Sequence, residues 1–307
     1  MRLQKLNSSP RFFLSDGGLE TNLIFEKGYE LPCFSAAALL DTEEGREELT
    51  NYFMRFVEIA KSTGRGFIID APTWRAGTAW AGPLGQTLKQ VMDTNTRAVA
   101  FVSDLRTRLE TETCPILVNG LIGPAGDAYA PDSQITAREA LLIHAPQIHA
   151  LGRAGVDMIS AMTMTHASEA IGMTRAAQEI DVPIVIAFTL ETDARLPSGQ
   201  SLSEAIEEVD EATRNGPVYY MINCAHPDHF SEAIDSQAAW SLRIGGVRSN
   251  ASRLSHAELD EAVTLDDGDP VELGNLSAEL VSRLPNIRVM GGCCGTDHRH
   301  IESIASH

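Results

Sequence analysis

The sequence has no apolar run approaching the roughly 20 residues that a membrane-spanning helix needs. Nor does an apolar stretch follow the charges of its first ten residues, MRLQKLNSSP, so nothing there reads as a secretory signal. A cytoplasmic protein that inserts in no membrane is expected. Basic residues are the scarcer charge: 24 Lys and Arg stand against 42 Asp and Glu, a formal net charge of −18. That balance is the wrong sign for binding nucleic acid or an anionic membrane surface. It suits a well-hydrated surface, and it would help a cationic substrate without pointing to one. Cysteine is sparse too. Five in 307 residues, an odd number, do not make a disulfide framework. Cys293 and Cys294 are adjacent, so a bridge between them would be strained. Reduced thiols, some on a metal, are the better reading. There is no internal repeat, low-complexity tract or linker, and residues 1–307 read as a single domain. No helix is conspicuously apolar on its outer face, so the pattern specifies no oligomer.

What is present is alternation. Short β-branched, apolar runs at residues 12–15, 66–70, 115–119, 156–161, 183–189, 218–223, 242–247 and 287–291 predict eight strands. Amphipathic stretches at 42–62, 84–112, 136–154, 169–179 and 202–215 predict helices between them. Asp41 and Thr42 precede two glutamates as a helix cap, Ser201 stands three residues before Glu204 as a capping box, and Asn215 with Gly216 ends that helix. Eight parallel βα units close a barrel, whereas an open doubly wound sheet usually has fewer strands. The expected fold is therefore α/β, a (β/α)₈ TIM barrel. Two irregular segments, residues 120–133 and 250–270, follow the third and seventh strands and belong to the C-terminal face, where barrels build their sites.

Cys224 ends the sixth predicted strand, and Cys293 with Cys294 ends the eighth. In a barrel those ends converge on one rim, where three thiolates can meet one zinc ion at about 2.3 Å. Adjacent residues of a regular strand face opposite ways. Gly291, Gly292 and Gly295 are expected to release the backbone and turn both thiols inward. Three protein ligands leave the fourth tetrahedral position open, the mark of a catalytic rather than a structural Zn²⁺ site. Such an electron-rich centre is a poor activator of water. It is a good place to hold a further sulfur deprotonated yet nucleophilic, although a free thiol has a pKa of about 8.5.

The run Met290-Gly291-Gly292-Cys293-Cys294-Gly295-Thr296, together with Ile222-Asn223-Cys224 and Ser15-Asp16-Gly17-Gly18-Leu19-Glu20-Thr21, resembles the homocysteine S-methyltransferase family. Asn119-Gly120, Gly123-Pro124, Phe188-Thr189 and Leu196-Pro197-Ser198-Gly199 support the resemblance, which runs from about residue 13 to 300. It implies a zinc-activated homocysteine thiolate that takes a methyl group from an onium donor (S-methylmethionine, S-adenosylmethionine or betaine) by in-line displacement, giving methionine. It carries over Cys224, Cys293 and Cys294 as zinc ligands. Asp16, Gly17, Gly18 and Thr73 fall where the family contacts the amino-acid end of homocysteine. Asn223 either positions the thiolate or makes a strand-end hydrogen bond.

The chain departs from the family at Met162, where relatives carry a glutamate that binds the substrate ammonium; Glu191, after the fifth strand, is the expected replacement or else an exposed loop acid. For the donor, the aromatic side chains Phe25, Tyr29, Trp74 and Trp80 belong to segments near the rim and could face an onium group or merely pack. His226, His229, His298 and His300 sit near the cysteines in sequence; they could support the metal ligands, with surface residues as the default reading. The expected partners are thus a small-molecule thiol acceptor and a methyl-onium donor. Competing readings are transfer to another small thiol, and a non-catalytic zinc-binding barrel.

Overall fold

The computed structural model describes residues 2–128 and 134–307. Eight parallel strands close in chain order into a barrel: β1 (Phe13–Leu14), β2 (Phe67–Ala71), β3 (Ile116–Ile122), β4 (Met158–Met164), β5 (Ile184–Phe188), β6 (Tyr220–Asn223), β7 (Ile244–Ser249) and β8 (Val289–Gly292). Each overlaps its predicted run. Closure leaves no unpaired strand edge, and the α/β class and (β/α)₈ TIM barrel expected from the alternation are what the chain forms.

Helices Glu43–Ser62, Leu88–Leu109, Ala137–Ala154, Ala167–Gln178, Leu202–Thr213, Pro270–Arg283 and His298–Ala305 surround the barrel. Their starts follow the sequence. Thr42 accepts from the Gly45 amide, and Ser201 and Glu204 form a reciprocal capping box. Helix Leu202–Thr213 ends where expected, with Arg214 and Asn215 in the left-handed conformation. Gly216 is needed for closeness, since a Cβ there would stand 2.5 Å from the Thr174 methyl. One outer helix is missing. After β6 come only the short turns Pro227–Phe230, Ser231–Ala233 and Ala239–Arg243, in a segment with little apolar periodicity.

Two apolar cores hold the fold. One lies between barrel and helices, with Phe53, Phe56, Val99, Ile148, Ile186 and Ile301 fully or nearly fully buried. The other fills the barrel interior with Phe13, Ile68, Leu117, Met158, Val185, Met221 and Val289. Leu6, on the N-terminal helix Leu3–Ser8, packs into this inner core. Toward the C-terminal ends of the strands the interior turns polar, and there the site is built. Among the described residues no helix is long and apolar enough to cross a membrane.

Candidate active site

A cavity of about 390 Å³ opens on the C-terminal face, within the range of small-molecule sites. Part of its lining comes from strands and the residues at their ends: Asp16, Asp70, Met162, Thr163, Asn223, Cys224, Arg248, Cys293 and Cys294. The ends of β6 and β8 bring the three cysteines together, with one sulfur of each within 4.8 Å of the others. Cys224 and Cys294 Sγ atoms are 4.0 Å apart. A tetrahedral ion with Zn–S bonds of about 2.3 Å separates its sulfurs by about 3.8 Å, so this pair already has the spacing of two ligands. Cys224 and Cys293 have their sulfurs in contact, with Cα atoms 5.4 Å apart although the residues are 69 apart in sequence. The three sulfurs gather around one point, a donor set that suits zinc. Cys33 and Cys114 stand apart from this cluster, and burial pushes the Cys114 thiol up to about 11, as for an inert core residue.

The glycines work differently from expectation. Of Gly291, Gly292 and Gly295, only Gly295 has a positive φ, 78°. Gly292 remains in β8, where a Cβ would lie 1.9 Å from Thr296 Oγ1; it permits close approach of the turn that follows. The residue that leaves the strand direction is Cys224 itself, with φ 52°. Facing it, Thr163 is also left-handed, φ 64°, an uncommon conformation for a β-branched residue. Asn223 stabilises that turn: its Oδ1 accepts from the Thr163 amide at 2.9 Å and its Nδ2 donates to Thr163 Oγ1 at 2.9 Å. Nδ2 also lies 3.9 Å from Cys293 Sγ.

Beneath the sulfurs lies a charged group that composition and spacing do not reveal. Arg248, on β7, reaches across the barrel: its Nη2 donates to Asp16 Oδ1 at 2.5 Å, its Nη1 pairs with Asp70, and its Nε donates to the Gly292 carbonyl at 3.0 Å. Asp70 also accepts from Asn119 Nδ2 at 2.7 Å, and Ser160 donates to Asn119 Oδ1 at 3.1 Å. Two buried acids thus share one guanidinium. Burial, aided by the neighbouring charge of Asp70 and opposed by Arg248, pushes the Asp16 carboxyl up to about 7.

Gly17 and Gly18 carry the chain from β1 against the cysteine turn. The Gly18 amide donates to the Thr296 carbonyl at 2.9 Å, and a Cβ on Gly18 would sit 2.6 Å from the Cys293 carbonyl oxygen. Thr73 is fully buried and donates to the Leu121 carbonyl at 2.7 Å; its neighbours Pro72 and Trp74 line the cavity and it does not. Glu191 lies outside the cavity as well. Its Oε1 is 3.0 Å from His256 Nδ1, and His256 Nε2 is 2.7 Å from the Cys224 carbonyl oxygen. Glu191 therefore braces the turn at Cys224 through His256, a residue with no motif to mark it.

Phe25 and Trp74 line the cavity with Phe34, whereas Tyr29 and Trp80 do not. Arg75 lies over Trp74 at 4.8 Å and Trp80 at 4.2 Å, so the chain's own cation already occupies aromatic faces that were candidates for an onium group. His226 and His300 are buried rather than superficial; His226 caps the turn Pro227–Phe230, and His300 contacts Asp297.

Glu20 also lines the cavity. Burial, with the charge of Asp16 in the same direction, pushes its carboxyl up to about 7 from an ordinary value of 4.5. The folded state then holds this proton longer than the unfolded chain, so the contribution to stability falls as pH rises from about 4.5 to 7. Glu20→Gln should match the parent at pH 4 and exceed it by about 1–3 kcal/mol at pH 8 in denaturant titrations of the ligand-free protein. Equal stability at both pH values would show that the cavity does not disfavour the charged carboxylate.

A sequence profile described as homocysteine S-methyltransferase matches residues 13–307. Among curated protein sequences nothing matches the chain. The fold is similar to crystal structures of the homocysteine methyltransferase MmuM from Escherichia coli. The metallated form has a TM-score of 0.79 at 18% identity, and the oxidized form 0.78 at 19%. Each comparison covers 100% of this chain and 99% of the other. The profile spans nearly the whole chain, including the three cysteines and the glycine turn they share with Asp16, and the chain belongs to the homocysteine S-methyltransferase family of methyltransferases.

Proposed function

We propose that this protein transfers a methyl group from an onium donor to the sulfur of homocysteine, at a zinc site made by Cys224, Cys293 and Cys294. The observation that carries this reading is the convergence of three cysteine sulfurs on the cavity. Zinc bound there supplies a position at which an acceptor thiol is held without its proton while its sulfur stays nucleophilic. In the reaction the donor's methyl–onium bond breaks as the sulfur–methyl bond forms. The donor leaves neutral, as a thioether or a tertiary amine.

The chain's own residues favour that charge change. Asp16, Glu20, Asp70, Asp127, Asp260 and Asp266 line the cavity against two arginines, Arg75 and Arg248, so its field favours a cationic donor. Phe25, Phe34 and Trp74 provide apolar walls that exclude water. Asn223 and Thr163 hold the Cys224 turn, and the Asp16–Arg248–Asp70 group holds β1, β2 and β7 in register beneath it.

The test uses protein reduced and then loaded with zinc. Homocysteine is offered with S-methylmethionine, S-adenosylmethionine or betaine, and thiol loss and methionine are both measured. Turnover with one donor at least tenfold above the other two is expected. No thiol consumption with any donor, in protein shown to hold zinc, would overturn the proposal. Met162 gives a second reading some support, because a buried apolar side chain stands where relatives bind the acceptor's ammonium. Preference for a small thiol without an amino group would identify that case.

A further inference from the structure

We propose that Glu20 is the carboxylate that receives the ammonium group of the acceptor amino acid, an inference that rests on the methyl-transfer reading above. Four positions come into question as its partner, and three of them do not serve. Met162 lines the cavity, but it is apolar and only 4% exposed. Asp16 is committed to Arg248, with Nη2 at 2.5 Å from its Oδ1. Glu191 faces His256 outside the cavity. Glu20 remains. Among the described residues no side chain forms an ion pair or hydrogen bond with its carboxylate, although the residue lines the cavity.

Its place in the chain favours the acceptor over the donor. Glu20 lies in the turn that follows β1, and this turn is bonded to the cysteine segment at both ends. The Gly18 amide donates to Thr296, and the Gly295 amide donates to Thr21 Oγ1 at 3.2 Å. A molecule whose sulfur is held at Cys224, Cys293 and Cys294 has its α-amino group only two methylenes and one carbon further on. The hydrogen bonds between the two segments keep this turn beside the cysteines, in the cavity that the amino group would enter. Phe25, Phe34 and Trp74 line the same cavity and offer apolar faces to the donor. Burial and the charge of Asp16 outweigh Arg248, Arg75 and the residue's own amide and hold the Glu20 proton up to about 7, and an arriving ammonium favours the charged form. The other acids at the rim are engaged or open to water: Asp127 pairs with Arg75, Asp266 accepts from Ser252, and Asp260 is exposed.

The experiment compares the zinc-loaded parent with Glu20→Gln, using homocysteine and 4-sulfanylbutanoic acid, the same thiol without its amino group. The parent is expected to bind homocysteine roughly ten- to a hundredfold more tightly than the deaminated thiol in calorimetric titrations, the strength of one charge-assisted hydrogen bond. In Glu20→Gln that preference should fall to within about threefold, by loss of homocysteine affinity alone. In turnover the homocysteine KM should rise by the same factor while kcat, the donor KM and zinc content change little. Glu20→Asp should restore part of the preference. If Glu20→Gln keeps the parent's preference, or weakens both thiols equally, the assignment is wrong. Failure of the methyl-transfer reading shows differently: the titrations still discriminate the thiols, but no donor is consumed.

Discussion

Cys294→Ala, reduced and incubated with zinc, should hold less than about a tenth of an ion per chain where the parent holds about one. Each thiolate is one of three protein ligands, and losing one removes a charge as well as a bond. Cys224→Ala and Cys293→Ala should behave alike, and Cys33→Ser and Cys114→Ser should bind metal as the parent does, being outside the cluster. The reductant is part of the experiment, because sulfurs brought this close at the ends of β6 and β8 can be oxidised to a disulfide and lost to the metal. Methyl transfer should disappear with the metal. The fold should survive: both apolar cores lie below the rim and between the helices, and no cysteine of the cluster supports them. Elemental analysis and thermal melting measure the two halves of this prediction separately. Full zinc retention in Cys294→Ala would sink the three-thiolate site.

The second large effect concerns stability. Arg248→Met should cost about 3–5 kcal/mol at pH 8, since it leaves Asp16 and Asp70 charged, buried and side by side. For a barrel of this size that is a fall in melting temperature of about 6–15 °C. Arg248→Lys should recover part of the loss, because an ammonium group can meet one carboxylate but not span both in the geometry of the guanidinium fork. Acidification should narrow the gap between variant and parent. Asp16 already holds its proton up to about 7, and a neutral acid needs no counter-charge. A melting temperature within about 2 °C of the parent at pH 8 would mean that water, not Arg248, stabilises the two acids.

The elements were legible for local reasons. Strands of a closed parallel barrel are buried on both faces and so read as short continuous apolar runs. Five of the connections carry enough periodicity to show a helix, while Pro270–Arg283 and His298–Ala305 were not singled out, and caps such as Ser201 and Glu204 act between near neighbours. The cysteines were legible because strand ends converge in any such barrel, whatever the rest of the chain does. For Glu191 the same logic left two places open, the cavity or the outer loop. It follows β5 as Cys224 follows β6, but its side chain turns outward to His256, and no spacing rule encodes that turn.

The sequence by itself determined the barrel, the family and the three sulfurs, because each rests on periodicity or on a contiguous motif. Only the tertiary structure decided what surrounds them. Arg248 and Asp16 are 232 residues apart, and Arg248 and Asp70 are 178 apart, yet they form one buried group. Their meeting depends on which inward-facing positions of β1, β2 and β7 share a level in the closed barrel, a matter of register. Tertiary structure likewise separated three acids of similar appearance in sequence. Asp16 is paired with an arginine, Glu191 is turned away to a histidine, and Glu20 lines the cavity with no ion pair among the described residues. Charge in a sequence is a property of each residue, but its availability to a ligand depends on the neighbours that folding brings, and those lie far along the chain.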